Sequence, residues 1–283
     1  MKSTLFNPIK GLTLFGLLLF ASCEKEESLP SNQVNETEET AQEVDLTTTM
    51  EDIDEVTLSS FQRNGFANRS LLTMEEDLCE KVKIEWLPGV KKMIIDFGQG
   101  CTSPRGVTRK GKIIVTYTGR YWSPGSVITS TFENFYIDDR KIEGVRVITN
   151  QGFNENDKFF TFKIVMEGGK ITWPDGTFRT VESRHVKRIF LPNGDRGVIY
   201  KIAGSSKGVN RNGNDYLVEI TTPLLFSERC IRSGIRIPSA GVMVMRVRSK
   251  DEIKIDFGTD ACDRIVTITR GGETKTVTLP VRL

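Results

Sequence analysis

Ile95-Asp96-Phe97-Gly98 and Ile255-Asp256-Phe257-Gly258 are two copies of one stretch, and their reading decides the fold. Each copy is followed by a cysteine, Cys101 or Cys262, and then by a β-branched run, Ile114-Val115-Thr116-Tyr117 or Ile265-Val266-Thr267-Ile268. In Glu252-Ile253-Lys254-Ile255-Asp256-Phe257 charged and apolar residues alternate, so Ile253, Ile255 and Phe257 share one face of a strand. Lys92-Met93-Ile94-Ile95-Asp96-Phe97 keeps that alternation except at Ile94. Gly98 and Gly258 end the strands where a turn needs positive φ. Asp96 and Asp256 fall on the polar face, where solvent accounts for them better than a catalytic pair does.

Outward from these copies the pattern stays β. Leu87-Pro88-Gly89 reverses the chain between Lys81–Trp86 and Lys91–Phe97. From residue 126 to 226 turn signals recur every 8 to 15 residues, at Asp138-Asp139, Gly168-Gly169, Pro192-Asn193-Gly194-Asp195, Ser205-Ser206-Lys207-Gly208 and Asn210 to Asp215. Val277-Thr278-Leu279-Pro280 reads as an edge strand, because proline cannot donate to a ladder. The spacing implies a mainly β fold, an antiparallel meander forming a sandwich, roll or open elongated sheet. One short N-terminal helix near 50–61 is expected from the capping box Thr48-Thr49-Met50-Glu51 and from Met50, Ile53, Leu58 and Phe61 at helical spacing.

The N-terminus is of another kind. Lys2 and Lys10 precede a ten-residue apolar run, Gly11 to Phe20, too short to span a bilayer, and Leu19-Phe20-Ala21-Ser22-Cys23 offers a small-residue cleavage site. Ala21-Ser22-Cys23 resembles a bacterial lipobox, in which the cysteine is diacylated and becomes the first mature residue; Phe20 departs from the Leu or Val more usual there. Glu24-Lys25-Glu26-Glu27 resembles the export signal of Bacteroidota surface lipoproteins, and most of the chain resembles uncharacterised lipoproteins of that group. The resemblance implies a signal peptide over 1–22, palmitate-type acylation of Cys23, membrane attachment through it, and an outer-membrane location facing outward, with the periplasmic face as the other orientation. It brings no activity with it.

Charge is segregated. Residues 24 to 56 hold twelve acidic side chains and one basic, whereas 57 to 283 carry a net +11. Such an acidic stretch repels itself and stays extended, so 23–48 is expected to be a disordered tether and 49–283 the β domain, with related units near 79–120 and 230–272. Lys and Arg dispersed along exported strands imply solvated faces and no nucleic-acid partner. The basic run Arg105 to Lys112 lacks the glycines and following helix of a phosphate-binding loop and reads as solvated.

Candidate chemistry is sparse. Lipidation of Cys23 leaves Cys79, Cys101, Cys230 and Cys262, which allow three pairings. Cys79–Cys101 and Cys230–Cys262 are favoured, each within one copy of the repeat and in an oxidising space, with reduced cysteines as the rival. No Cys-x-x-Cys spacing exists for a metal, and His185, the only histidine, sits in a charged strand without a nucleophile elbow. It reads as exposed. Asn154 to Asp157 and Asn210 to Asp215 lack the ordered acids of a calcium loop and read as turns. Trp122 and Trp173 stand beside turns, where an indole can contact a ligand or seal a core. No cofactor is implied. The reading is a lipid-anchored extracytoplasmic module for binding, adhesion or envelope structure, with a glycan or protein partner, and it leans away from an enzyme. Two rivals stay open: a lipid- or lipopolysaccharide-handling open sheet, which needs a continuous apolar trough, and a glycan-active enzyme, which needs two carboxylates in an aromatic cleft.

Overall fold

The structure, a computed structural model, describes residues 31–66, 77–191, 197–248 and 252–280. The expected signal segment, Cys23 and the turns expected at 192–195 and 249–251 lie outside them. A helix, α1 (Ser31–Arg63), leads into β1 (Lys83–Leu87), β2 (Lys92–Asp96), β3 (Cys101–Thr102), β4 (Thr108–Tyr117), β5 (Val127–Ile137), β6 (Arg140–Asn154) and β7 (Phe159–Thr172). There follow β8 (Phe178–Phe190), β9 (Ile199–Val209), β10 (Asp215–Ser227), the short helix α2 (Glu228–Arg232), β11 (Ala240–Val247), β12 (Ile253–Thr259), β13 (Ile265–Arg270) and β14 (Glu273–Thr278).

All fourteen strands join one antiparallel sheet in chain order, with β3 alone paired off the path, against β4. The mainly β meander expected from the turn spacing is therefore present as an open sheet, with β1 and β14 as its edges. The two copies of the opening stretch form β2 and β12, second from one edge of the sheet and third from the other. Gly98 N donates to Asp96 Oδ1 at 2.8 Å and Gly258 N to Asp256 Oδ1 at 2.9 Å, so each aspartate closes its own turn. The Asp138-Asp139 turn has positive φ at both residues, 45° and 65°, the backbone of a two-residue hairpin whose twist matches its strands.

Two expected turns are instead continuous strand. Gly168-Gly169 lies inside β7 as a bulge, with the register against β8 shifting between Met166 and Gly169. Ser205 to Gly208 lies inside β9. Bulges also sit at Gly111 in β4, Gly144 in β6 and Gly241 in β11. They bend strands and increase twist. Gly111 shows why glycine is needed, since a Cβ there would stand 1.9 Å from the Asn134 carbonyl oxygen.

The bends curl the sheet around α1. The helix carries Ala41, Val44, Leu46, Met50, Ile53, Val56, Leu58 and Phe61, all buried, and they point to every side of it. Phe61 is fully buried, its ring 5.7 Å from Trp86, 5.5 Å from Tyr117 and 5.8 Å from Tyr121. The sheet's inner face supplies Met93, Ile95, Ile113, Val115, Phe135, Phe162, Ile164, Leu224, Met243 and Ile255. Residues 31–48, expected as disordered tether, are the first half of this core helix, and Thr48 to Glu51 is helix interior rather than its start.

Candidate functional site

Nine carboxylates and one arginine lie on α1, and it is buried along most of its length. Burying ionised groups is costly unless each meets an opposite charge in good geometry. The inner face of the sheet meets that requirement. Asp54 accepts from Arg146 Nε at 2.6 Å, Arg146 Nη2 at 2.9 Å and Lys187 Nζ at 2.8 Å, so β6 and β8 converge on one carboxylate. Lys187 also lies 2.5 Å from Glu51. Asp52 accepts from Arg109 Nε at 2.8 Å, Arg109 Nη2 at 2.5 Å and Arg236 Nη2 at 2.8 Å, and Asp77 adds a second carboxylate to both arginines. Arg179 pairs with Glu43 and Arg140 with Asp45. Arg105 bonds Glu55 at 2.7 Å, Arg270 bonds Glu36 at 2.9 Å, and Asn210 Nδ2 donates to Glu39 at 2.7 Å.

Arginines 109, 140, 146 and 179 and Lys187 thus point inward, where the sequence reading placed them on solvated faces. Arg105 and Arg109, expected in a solvated loop, anchor the helix. Their partners lie 50 and 57 residues away, which is why local pattern gave no sign of them.

Proton affinity divides the carboxylates into two groups. Burial raises Glu43, Asp45, Glu51 and Glu55 above the ordinary carboxylate range despite their cationic partners. Burial acts the same way on Asp52 and Asp54, but two cations each overcome it. Asp52 is held below the ordinary range by Arg109 and Arg236, and Asp54 is lowered to about 2 by Arg146 and Lys187. His185, expected on an exposed face, is on the inner face of β8 beside Glu43, Met50 and Glu51. Burial, with Arg146 and Lys187 adding to it, lowers it to about 4. It is therefore a neutral imidazole at ordinary pH.

Among the described residues, packing around the helix leaves room beside it. A void of about 30 Å³ lies between α1 and strands β8 to β11, bordered by Glu43, Met50, His185, Ser206 and Met243, which is space for a water molecule. A cleft of about 130 Å³ opens beside Asp45, Asp52, Arg140, Arg236 and Arg264. Among the described residues, Arg179 Nε and Nη1, Arg146 Nη1 and Glu39 Oε2 are buried without a hydrogen-bond partner.

The cysteines pair as Cys79–Cys101 and Cys230–Cys262, with Cα atoms 6.0 and 4.9 Å apart. The first ties the segment before β1 to β3, and the second ties α2 to the loop after β12. Trp122 is half-buried in a cluster, 4.8 Å from Phe160 and 5.0 Å from Tyr121, with its indole nitrogen enclosed. Trp173 is half-buried with the Arg211 guanidinium 4.5 Å over its ring. Both pack against the core, at opposite ends of β7. The Asn154 and Asn210 segments are turns closed by their own asparagines, and no group of three metal-binding side chains occurs among the described residues.

Fold and site together define a class: an antiparallel sheet wrapped around its own N-terminal helix and bound to it by buried ion pairs. No family model, curated protein or solved structure matches the chain.

Proposed function

We propose that this chain is a lipid-anchored, extracytoplasmic binding, adhesion or envelope module of the outer membrane that works through its outer surface. The supporting observation is the filled inner face. A carrier of acyl chains needs that face as a continuous apolar trough, and here it is studded with Arg109, Arg140, Arg146, Arg179 and Lys187 and covered by α1. The glycan-active reading gains nothing from the helix carboxylates, because the buried ones are engaged by arginine, lysine or asparagine. Two disulfides suit an oxidising compartment.

Incubating the purified mature chain with radiolabelled phospholipid vesicles, then separating protein from vesicles, tests the filled face. Negligible lipid should leave with the protein. Near-stoichiometric lipid, with amide exchange in α1 accelerated, would favour the lipid-handling reading instead. Palmitate labelling tests the anchor, and a Cys23→Ala variant should incorporate none.

A further inference from the structure

Several charges on the outer face of the sheet are paired. Lys141 lies 2.8 Å from Glu143, Lys207 3.6 Å from Glu182, Arg246 2.8 Å from Glu219 and 2.5 Å from Glu252, and Lys254 3.7 Å from Asp256. Among the described residues, the outward strand cations with no ion pair are Lys83, Lys92, Lys110 and Lys170, which stand apart, and a group of four on β7–β9. Lys163 on β7, Arg184 and Arg188 on β8 and Lys201 on β9 are exposed, project from the same outer face, and form no ion pair among the described residues.

The register sets their spacing. Arg188 sits directly across from Lys201 on one side and Thr161 on the other, while Lys163 is across from Val186 and Arg184 is across from Val165 and Ser205. Cross-strand neighbours are about 5 Å apart, and residues four apart along a strand about 13 Å, so four positive charges spread over a stretch of sheet a little over a nanometre long. The residues between them, Val186, Ala203, Thr161 and Ser205, give low relief and two hydroxyls. Phe159 and Phe190 at one end lie against each other at 5.0 Å, with Arg188 5.5 Å over the first ring and Lys201 5.6 Å over the second.

We propose that this outer face of β7–β9 docks an acidic polysaccharide, with Lys163, Arg184, Arg188 and Lys201 as the contacting cations. The inference rests on the reading of the chain as a binding module. Repeated cations along neighbouring strands match repeated anions on an extended polymer, and a cation with no ion pair gives up no carboxylate on binding. A membrane fits less well. Insertion into lipid uses protruding apolar side chains, and the exposed large hydrophobic residues, Val90, Phe178, Leu217 and Ile265, all lie off this patch. The two phenylalanines within it are half-buried under their cations.

The test uses the full mature chain in neutral detergent, applied at low salt to immobilised polygalacturonate. Parallel arms carry dextran, vesicles with phosphatidylglycerol, and polyglutamate. A patch variant, Lys163→Ser with Arg184→Ser, Arg188→Ser and Lys201→Ser, is compared with a control of equal charge change, Lys141→Ser with Lys207→Ser, Arg246→Ser and Lys254→Ser. Circular dichroism confirms that both fold. Polygalacturonate should retain the wild type in a salt-sensitive way, and the patch variant should lose about tenfold or more in affinity, as four exposed pairs together allow. The control should lose about twofold or less, since its cations are already engaged. Equal loss in both variants, no retention of the wild type, or tighter binding to the vesicles or polyglutamate would overturn the assignment. Lipid extraction reads the inner face and polymer retention the outer one, so the binding-module reading fails only in the former assay and the polysaccharide surface only in the latter.

Discussion

Arg146 and Lys187 hold Asp54 from two strands of the sheet, and the carboxylate could not stay ionised there with neither. Removing it by Asp54→Ala leaves the buried Arg146 without its carboxylate and Lys187 with Glu51 alone, so stability measured by urea denaturation should fall by about 3–5 kcal/mol. Replacing Glu43 and Arg179 together by Leu and Met should cost much less, because the desolvation of both charges disappears with the pair. pH acts through the same groups. His185 is depressed from 6.5 to about 4, so the unfolded chain takes up its proton first, and the stability it contributes is lost as pH falls from 6.5 towards 4. Asp52 and Asp54 add a loss that begins below the ordinary aspartate value of 3.8. Glu43, Asp45, Glu51 and Glu55, being raised, work in the other direction and favour the folded state as acid is added just above the ordinary carboxylate range. Facing Lys187, Arg146, Asp54 and Glu51, a His185→Gln variant should therefore show a melting temperature flatter than wild type between pH 6.5 and 4. An unchanged slope would remove the histidine from this account.

At the scale of elements, the strands and disulfides were legible in the sequence and the helix was only half so. Alternation at 252–257 identified β12, and the repeat placed each cysteine pair inside one unit. The helix escaped because the usual stripe was absent: its apolar residues surround the axis, and their gaps are filled by Glu, Asp and Thr, a composition shared with disordered tethers. What makes those acids helical is a sheet whose cations lie up to 234 residues downstream. Gly204 shows the complementary demand on the strands. Its φ of +133° and the Arg184 carbonyl oxygen 2.1 Å from where a Cβ would stand allow β9 to press against β8 opposite His185. Gly204→Ala should force the strands apart and lower the melting temperature, an effect read by thermal circular dichroism, whereas an exposed turn glycine with open space such as Gly106 should tolerate alanine better in packing, though not in φ.

In the whole molecule, the charge segregation written along the chain becomes a radial arrangement. An acidic helix at the centre neutralises the inward cations of a basic sheet, and the other cations face outward, away from it. That is why a disordered acidic tether followed by a solvated basic domain was the natural reading of composition, and why it differed from the structure over residues 31–48. Phe61 closes one end of this arrangement, and Phe61→Ala should cost about 3–5 kcal/mol by leaving a cavity among Trp86, Tyr117 and Tyr121. The central claim is that α1 is a core element locked inside the sheet. Hydrogen exchange followed by mass spectrometry on the full mature chain tests it most directly. Amides of residues 43–61 should be protected as strongly as those of β6 to β8, opening only with global unfolding; exchange of that segment within seconds, while the strands stay protected, would contradict it.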